Sequence, residues 1–208
     1  MLDKITDKVF VINLDRRPER WQQIAAELNR IGITQYERFA AIDGQTLDAS
    51  KYAVSTANMG CTLSHLAVTK LARQRGYKSY CVLEDDCIFA DNFSEVFPSY
   101  WAQVPDTFHM VYLGGSHEGV KLQNLAPNLY KMVSTLTTHA MIISSGIYDA
   151  MIDLWENTKE EVDNTLRKLH PNNNCYTFSP PLAWQRAGFS DILGKEDDYK
   201  HLKEEVKK

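Results

Sequence analysis

Cysteine is scarce in this chain: four in 208 residues, at Cys61, Cys81, Cys87 and Cys175, with no Cys-x-x-Cys spacing. That spacing offers neither a zinc-ribbon ligand pattern nor a disulfide framework, and two of the four lie in apolar context, so buried packing thiols are expected. An excess of positive charge is also missing. Lys and Arg number 23 against 27 Asp and Glu, a net charge of -4, so no overall basic field exists for nucleic acid and any anionic ligand must be met by a local cluster. No apolar run approaches the roughly 20 residues that span a bilayer, and the charged start Met1 to Lys8 is not a secretory leader. A cytoplasmic protein without a transmembrane segment is expected, with room for peripheral association at the inner face of a membrane. Proline and glycine are few, at 7 and 10, and there is no internal repeat or low-complexity segment, which excludes collagen-like and solenoid architectures. What remains is a globular composition able to bury one core. It is read as a single domain over residues 1–195 followed by a charged tail at 196–208.

The most informative stretch is Lys78 to Phe89, where the apolar run Tyr80-Cys-Val-Leu83 ends in Glu84, Asp85 and Asp86. The run reads as a buried strand, which places the carboxylates at its C-terminal edge. Ligands of open α/β sheets bind at that edge, and hard oxygen donors there suit magnesium or manganese. Taken alone, the tripeptide is read first as a solvated acidic turn.

The rest of the chain alternates strands and helices. Lys8 to Leu14 is a strand; Asp15 to Arg17 turn out of it, and Pro18 opens a helix with Trp21, Ile24, Leu28 and Ile31 on one face before Gly32. Arg16, Arg17 and Arg20 stand near that helix start, where a diphosphate would be at home; Arg17 and Arg20 could instead be surface residues paired with Asp15 and Glu19. A second strand, Tyr36 to Ile42, delivers Asp43 into a glycine turn, and residues 45–59 read as a polar flap. Gly60 to Arg75 is a helix with Ser64 and His65 near its start. Asp91 to Trp101 is a helix, and His109 to Leu113 a strand ending in Gly114 and Gly115. Residues 116–129 read as a polar loop, 131–134 and 139–144 as paired strands, 146–155 and 160–169 as helices, and Cys175 to Ser179 as the last strand. From Lys195 onward the tail has no apolar face and reads as solvated or disordered.

Several segments, in order, resemble glycosyltransferase family 25, which contains lipooligosaccharide and collagen galactosyltransferases. They are Val11 to Arg20, Ala40 to Gly44, Gly60 to His65, Val82 to Asp86, Val162-Asp163, and Pro180 to Arg186 with Phe189 to Ile192. The resemblance implies a GT-A-like α/β fold, with a Rossmann-type nucleotide-sugar half at 8–115, an acceptor half at 116–195, and a mixed central sheet flanked by helices. It also implies a manganese- or magnesium-dependent inverting transferase. Such an enzyme moves a hexose, galactose first and glucose next, from a UDP-sugar to a hydroxyl of a glycan or of a protein- or lipid-linked acceptor.

Under this resemblance Asp86 is the main metal ligand, assisted by Asp85, with Glu84 on the ribose side. Asn13, Leu14, Arg16 and Asp43 frame the nucleotide, and Arg20 reaches a phosphate. Asp163 and Asp191 are the candidates for the base; Asp163 could instead complete the metal shell. Ser64, His65 and His139 are assigned phosphate contact or positioning, and Gly114 and Gly115 line the sugar pocket. Compared with larger members the chain is short and ends without a retention signal, which favours a bacterial or viral surface glycan made in the cytoplasm, including that of a virus-infected host, over collagen. Two other readings stay open. A nucleotidyltransferase would want a glycine- and lysine-rich loop after the first strand, which Asn13 to Pro18 lacks; a non-catalytic glycan- or nucleotide-binding module could share the fold.

Overall fold

A computed structural model describes residues 1–117 and 119–203. The strands are β1 (Lys8–Asn13), β2 (Glu37–Ala40), β3 (Ser79–Glu84), β4 (Cys87–Phe89), β5 (Met110–Tyr112), β6 (Gln123–Ala126), β7 (Leu129–Lys131), β8 (Ala140–Ser144), β9 (Cys175–Phe178), β10 (Ala183–Gln185), β11 (Gly188–Ser190) and β12 (Lys195–Asp197). The helices are α1 (Leu2–Ile5), α2 (Pro18–Arg30), α3 (Thr56–Gln74), α4 (Phe93–Trp101), α5 (Tyr148–Glu156) and α6 (Val162–Leu166).

Among the described residues, eight strands form one mixed sheet in the order β2-β1-β3-β8-β5-β9-β7-β6. β1 runs parallel to β2 and β3, whereas β8 lies antiparallel between β3 and β5. The sheet therefore crosses from the first half of the chain into the second without a break. Its central strands are buried on both faces, and alternation of side chains divides the core in two. Val9, Val11, Cys81, Leu83, Val111 and Ile142 pack with Ile24 and Leu28 of α2 and Phe93 and Phe97 of α4. Phe10, Ile12, Tyr80, Val82, Met110 and Met141 face α3 and α5, where Val68, Met151 and Trp155 meet them.

Several local expectations change. The helix expected from Gly60 starts at Thr56, where the Ser55 side chain accepts from the Asn58 backbone N–H. The expected flap at 45–59 is thus two single 3-10 turns, capped by Asp43 and Asp48, and the first turn of α3. Short polar caps ordered this segment without the apolar periodicity that marks a helix in sequence. The loop expected at 116–129 contains β6. The strand expected at 131–134 lies earlier, as β7 (Leu129–Lys131), and shares only Lys131 with that range; it pairs with β6 and β9 and not with the strand at 139–144. β8 is held instead by β3 and β5, a long-range choice that short strands do not encode. In the tail, Lys195–Asp197 pairs with Gly188–Ser190 as a hairpin, and Tyr199 and Leu202 are buried. Two apolar anchors suffice where no period is visible. The tail beyond Lys203 lies outside the described residues.

Candidate active site

At the C-terminal ends of β1, β2 and β3 the chain leaves a cavity of about 350 Å³. Leu14, Arg16, Arg20, Asp43, Ser64, Glu84, Asp85, Asp86 and Asp191 line it, together with Cys61, Gln185 and Phe189. Two glycines let its wall close. A Cβ on Gly60 would lie 2.6 Å from the Ile42 carbonyl oxygen, and one on Gly44 would lie 2.3 Å from that of Thr56, so α3 rests directly on the turn after β2. Ser64 locks this contact, its Oγ donating to the Gly60 carbonyl at 2.7 Å and accepting from the Ile42 N–H at 2.8 Å. Asp43 is thereby presented at the cavity rim.

The acidic triplet occupies the centre, and each member has a different environment. Glu84 accepts from Thr138 Oγ1 at 2.7 Å and pairs with His65 Nε2 at 3.1 Å. Burial pushes its carboxyl up, but the His65 hydrogen bond and charge together with Thr138 and His139 hold it below the usual range. Asp85 accepts from Asn13 Nδ2 at 2.7 Å and Arg20 Nη1 at 3.1 Å, yet burial outweighs both and its carboxyl is raised. Asp86 is pushed up to about 7, by burial first and then by the charges of Glu84 and Asp85. Its Oδ2 lies 3.3 Å from Gln185 Nε2 and 3.8 Å from Arg20, and its buried Oδ1 has no hydrogen-bond partner among the described residues. Gln185 arrives because β10 pairs with β4, placing it opposite Cys87, and the Arg186 N–H donates to the Asp86 carbonyl at 2.7 Å.

The arginines of the first loop are all engaged. Arg16 donates to Asp43 at 2.8 Å and to Asp191 at 2.7 Å, and Arg17 holds both oxygens of Asp191 at 2.8 and 3.0 Å. Arg20 reaches Asp85 and the Phe189 carbonyl. Although burial opposes it, this pairing with Arg17 and Arg16 keeps the Asp191 carboxyl below the usual range. The β11–β12 hairpin is thus tied across the cavity mouth.

Other expected site residues stand outside the lining. Asn13 is buried behind it, bridging Asp85, the Arg17 carbonyl and Arg38 Nε. His65 supports Glu84 from behind. His139 is buried against the Ala183 carbonyl at 3.1 Å. A Cβ at Gly114 would lie 2.0 Å from that same carbonyl, and one at Gly115 would lie 2.6 Å from Thr135 Cγ2; both glycines are packed against protein. Asp163 accepts from the Thr137 and Asn164 N–H groups at 3.1 and 2.7 Å and is not part of the cavity wall. Gln185 and Thr138 are site neighbours that sequence reasoning did not single out, whereas Arg17, expected near a phosphate, is paired with Asp191. For Gln185 a signal existed, since it lies within the segment Pro180 to Arg186.

The model of glycosyltransferase family 25 (LPS biosynthesis protein) matches residues 6–166. The chain belongs to glycosyltransferase family 25. A protein named as a glycosyltransferase in Acanthamoeba polyphaga mimivirus is 29% identical over 161 residues, covering 70% of this chain and 49% of that protein. The mouse protein named inactive glycosyltransferase 25 family member 3 is 31% identical over 105 residues, 42% of this chain and 18% of its own length. The family 25 chain therefore spans about half of the first relative and under a fifth of the second. A crystal structure of a glycosyltransferase involved in glycosylation of the major capsid of PBCV-1 superposes with a TM-score of 0.50 at 9% identity, covering 83% of this chain and 82% of that one. That likeness is one of fold, and it agrees with the mixed sheet flanked by helices expected of a GT-A-like domain. No helix among the described residues is long and apolar enough to cross a membrane.

Proposed function

We propose that this family 25 chain is a divalent-cation-dependent inverting transferase that moves a hexose from a UDP-sugar, galactose first and glucose next, to a hydroxyl of a glycan or glycoconjugate. The observation that carries the reading is Asp86: a half-buried carboxylate with one buried, unpartnered oxygen, beside two further acids, at a strand end that opens into a ligand-sized cavity. Such a group fits a hard cation, because burial of clustered like charges is otherwise costly. Asp86 would hold manganese or magnesium with help from Asp85, and a bound cation supplies charge neutralisation for the departing UDP.

The remaining roles follow from position. Asp43 and Glu84 face the cavity as acceptors for ribose hydroxyls, Leu14 supplies an apolar wall, and Arg16 and Arg20 are the nearest cations for the diphosphate. Asn13 and His65 act by orienting Asp85 and Glu84. Of the two candidates for the base that takes the acceptor proton, Asp191 lines the cavity but, held ionised by two guanidiniums, is a weak proton acceptor and anchors the arginines. Asp163 stands outside the cavity wall and would act as base only where the acceptor reaches it beyond that wall. A panel of UDP-sugars with manganese, read as UDP release with and without saccharide acceptors, tests the assignment. Asp86→Ala is expected to lower release by about a hundredfold or more, and wild-type rates in that variant would refute the central role of Asp86.

A second reading, a binding module without turnover, is favoured by one observation: Arg16, Arg17 and Arg20 are all paired with protein carboxylates. UDP binding without release over hours would select it.

A further inference from the structure

Cys61, to which the proposed sugar transfer gives no role, stands beside His65 and Glu84. Cys61 and His65 stand one turn apart on α3, so their side chains leave the same helix face toward the end of β3. One ligand atom from each of the three residues lies within 4.8 Å of the others. His65 is buried, whereas Cys61, unlike the three fully buried cysteines, is partly accessible and lines the cavity with Glu84. Zinc bonds to sulfur, imidazole nitrogen and carboxylate oxygen are about 2.0–2.3 Å, which sets ligand separations of roughly 3.3–3.8 Å in a tetrahedron. The present separations, at most 4.8 Å, exceed that range by no more than about 1 Å. Cys61 and Glu84 line the cavity, so a fourth ligand to an ion held there would come from solvent. Asp85 and Asp86 offer oxygen alone and suit manganese or magnesium; a thiolate, an imidazole and a carboxylate together suit a softer ion.

We propose that Cys61, His65 and Glu84 bind a thiophilic divalent ion of the zinc class, at a site separate from the Asp85–Asp86 position. On binding, the Cys61 thiol proton leaves to solvent. The imidazole proton resides on Nδ1, and Nε2 exchanges its hydrogen bond to Glu84 for the metal. Glu84 keeps the hydrogen bond from Thr138 and bridges the two sites. Zinc is therefore expected to compete with the UDP-sugar for Glu84; that consequence rests on the donor-site reading, whereas metal binding does not.

Cobalt(II) added to the full chain is the direct probe. A sulfur-to-cobalt charge-transfer absorption is expected in the near ultraviolet, bleached by stoichiometric zinc and unaffected by excess manganese. Among the described residues no other cysteine belongs to a group of three such ligands, so the band reports Cys61. It should vanish in Cys61→Ser, persist in Asp86→Asn, and be accompanied by at least a tenfold loss of zinc affinity in His65→Gln. Absence of the band in the unaltered chain, or its persistence in Cys61→Ser, would overturn the site. If the band behaves as expected but zinc leaves manganese-dependent UDP affinity unchanged, the metal site stands and the role of Glu84 toward the donor fails.

Discussion

Asp86 carries a buried oxygen without a hydrogen-bond partner among the described residues, and Arg20 at 3.8 Å compensates it only in part. In metal-free solution above pH 7 the ionised side chain therefore works against folding. Asp86→Asn removes the charge at nearly constant volume, and a gain of roughly 1–3 kcal/mol in urea unfolding at pH 8 is expected, since one pKa unit corresponds to about 1.4 kcal/mol. If manganese binds at Asp86 as proposed, its addition should stabilise the unaltered chain and not this variant. Equal unfolding midpoints for the two proteins without metal would contradict the strain assigned to this carboxylate. At this scale the sequence was most informative: the triplet, Arg16, Arg20 and Asp43 stand at the cavity as their spacing after strands predicts. Asn13 and His65 were legible as neighbours of the site but not as groups behind its wall, because strand and helix periodicity place a residue on an element without saying which way a turn points it.

Two elements control access to these side chains. The contact of α3 with the turn after β2 depends on Gly60, whose added Cβ would meet backbone atoms of Ile42 and Gly44 at 2.6 and 2.8 Å. Gly60→Ala is expected to cost about 1–3 kcal/mol by overpacking and to weaken nucleotide binding by displacing Asp43; unchanged thermal unfolding would remove the argument. The β11–β12 hairpin is held differently, by the ion pairs of Asp191 with Arg16 and Arg17. These are partly exposed and worth about 1 kcal/mol or less in stability, so Asp191→Asn should leave global unfolding nearly unchanged. Amide exchange confined to residues 188–197 should nevertheless accelerate, because this local contact ties the hairpin across the mouth. Uniformly unaltered exchange there would mean that packing, not charge, closes the cavity. Exposed Phe189, Ile192 and Leu193 lie on this hairpin and the turn that joins its strands, and nothing in their spacing revealed its place over the cavity.

Across the whole molecule, one fully buried and one half-buried imidazole in the second half contribute to the response to acid. His170 is fully buried with its Nδ1 accepting from the Thr135 N–H at 3.3 Å, and His117 Nδ1 lies 3.0 Å from Thr135 Oγ1. Burial lowers both to about 4, with the charge of His117 adding to the effect on His170. A lowered base is neutral in the fold, so its contribution is complete above the ordinary pKa of 6.5 and is lost as pH falls through about 4. For His170 this amounts to about 3 kcal/mol. Asp86 acts in the opposite sense: its raised carboxyl favours the fold when protonated, a contribution present below 3.8 and lost as pH rises through about 7. Unfolding measured in the Asp86→Asn background from pH 7 to pH 4 should therefore show a steeper loss of stability than in the unaltered chain. Parallel curves would argue against one of the two assignments.

Amphipathic periodicity in α2, apolar runs in β1 and β3, and acids placed just after strand ends are local properties, and the sequence alone determined them, together with the family to which their order belongs. Neighbour choice within the sheet is not local. The insertion of β8 antiparallel between β3 and β5, the pairing of β7 with β9, and the return of β10 to β4 join residues up to about a hundred positions apart, and strands of three to six residues carry too little pattern to specify such partners. Tertiary structure decided that Gln185 meets Asp86, that Asp191 is spent on arginines, and that Cys61 shares a corner with His65 and Glu84. Each outcome follows from burying both faces of one sheet while leaving its strand ends open to solvent.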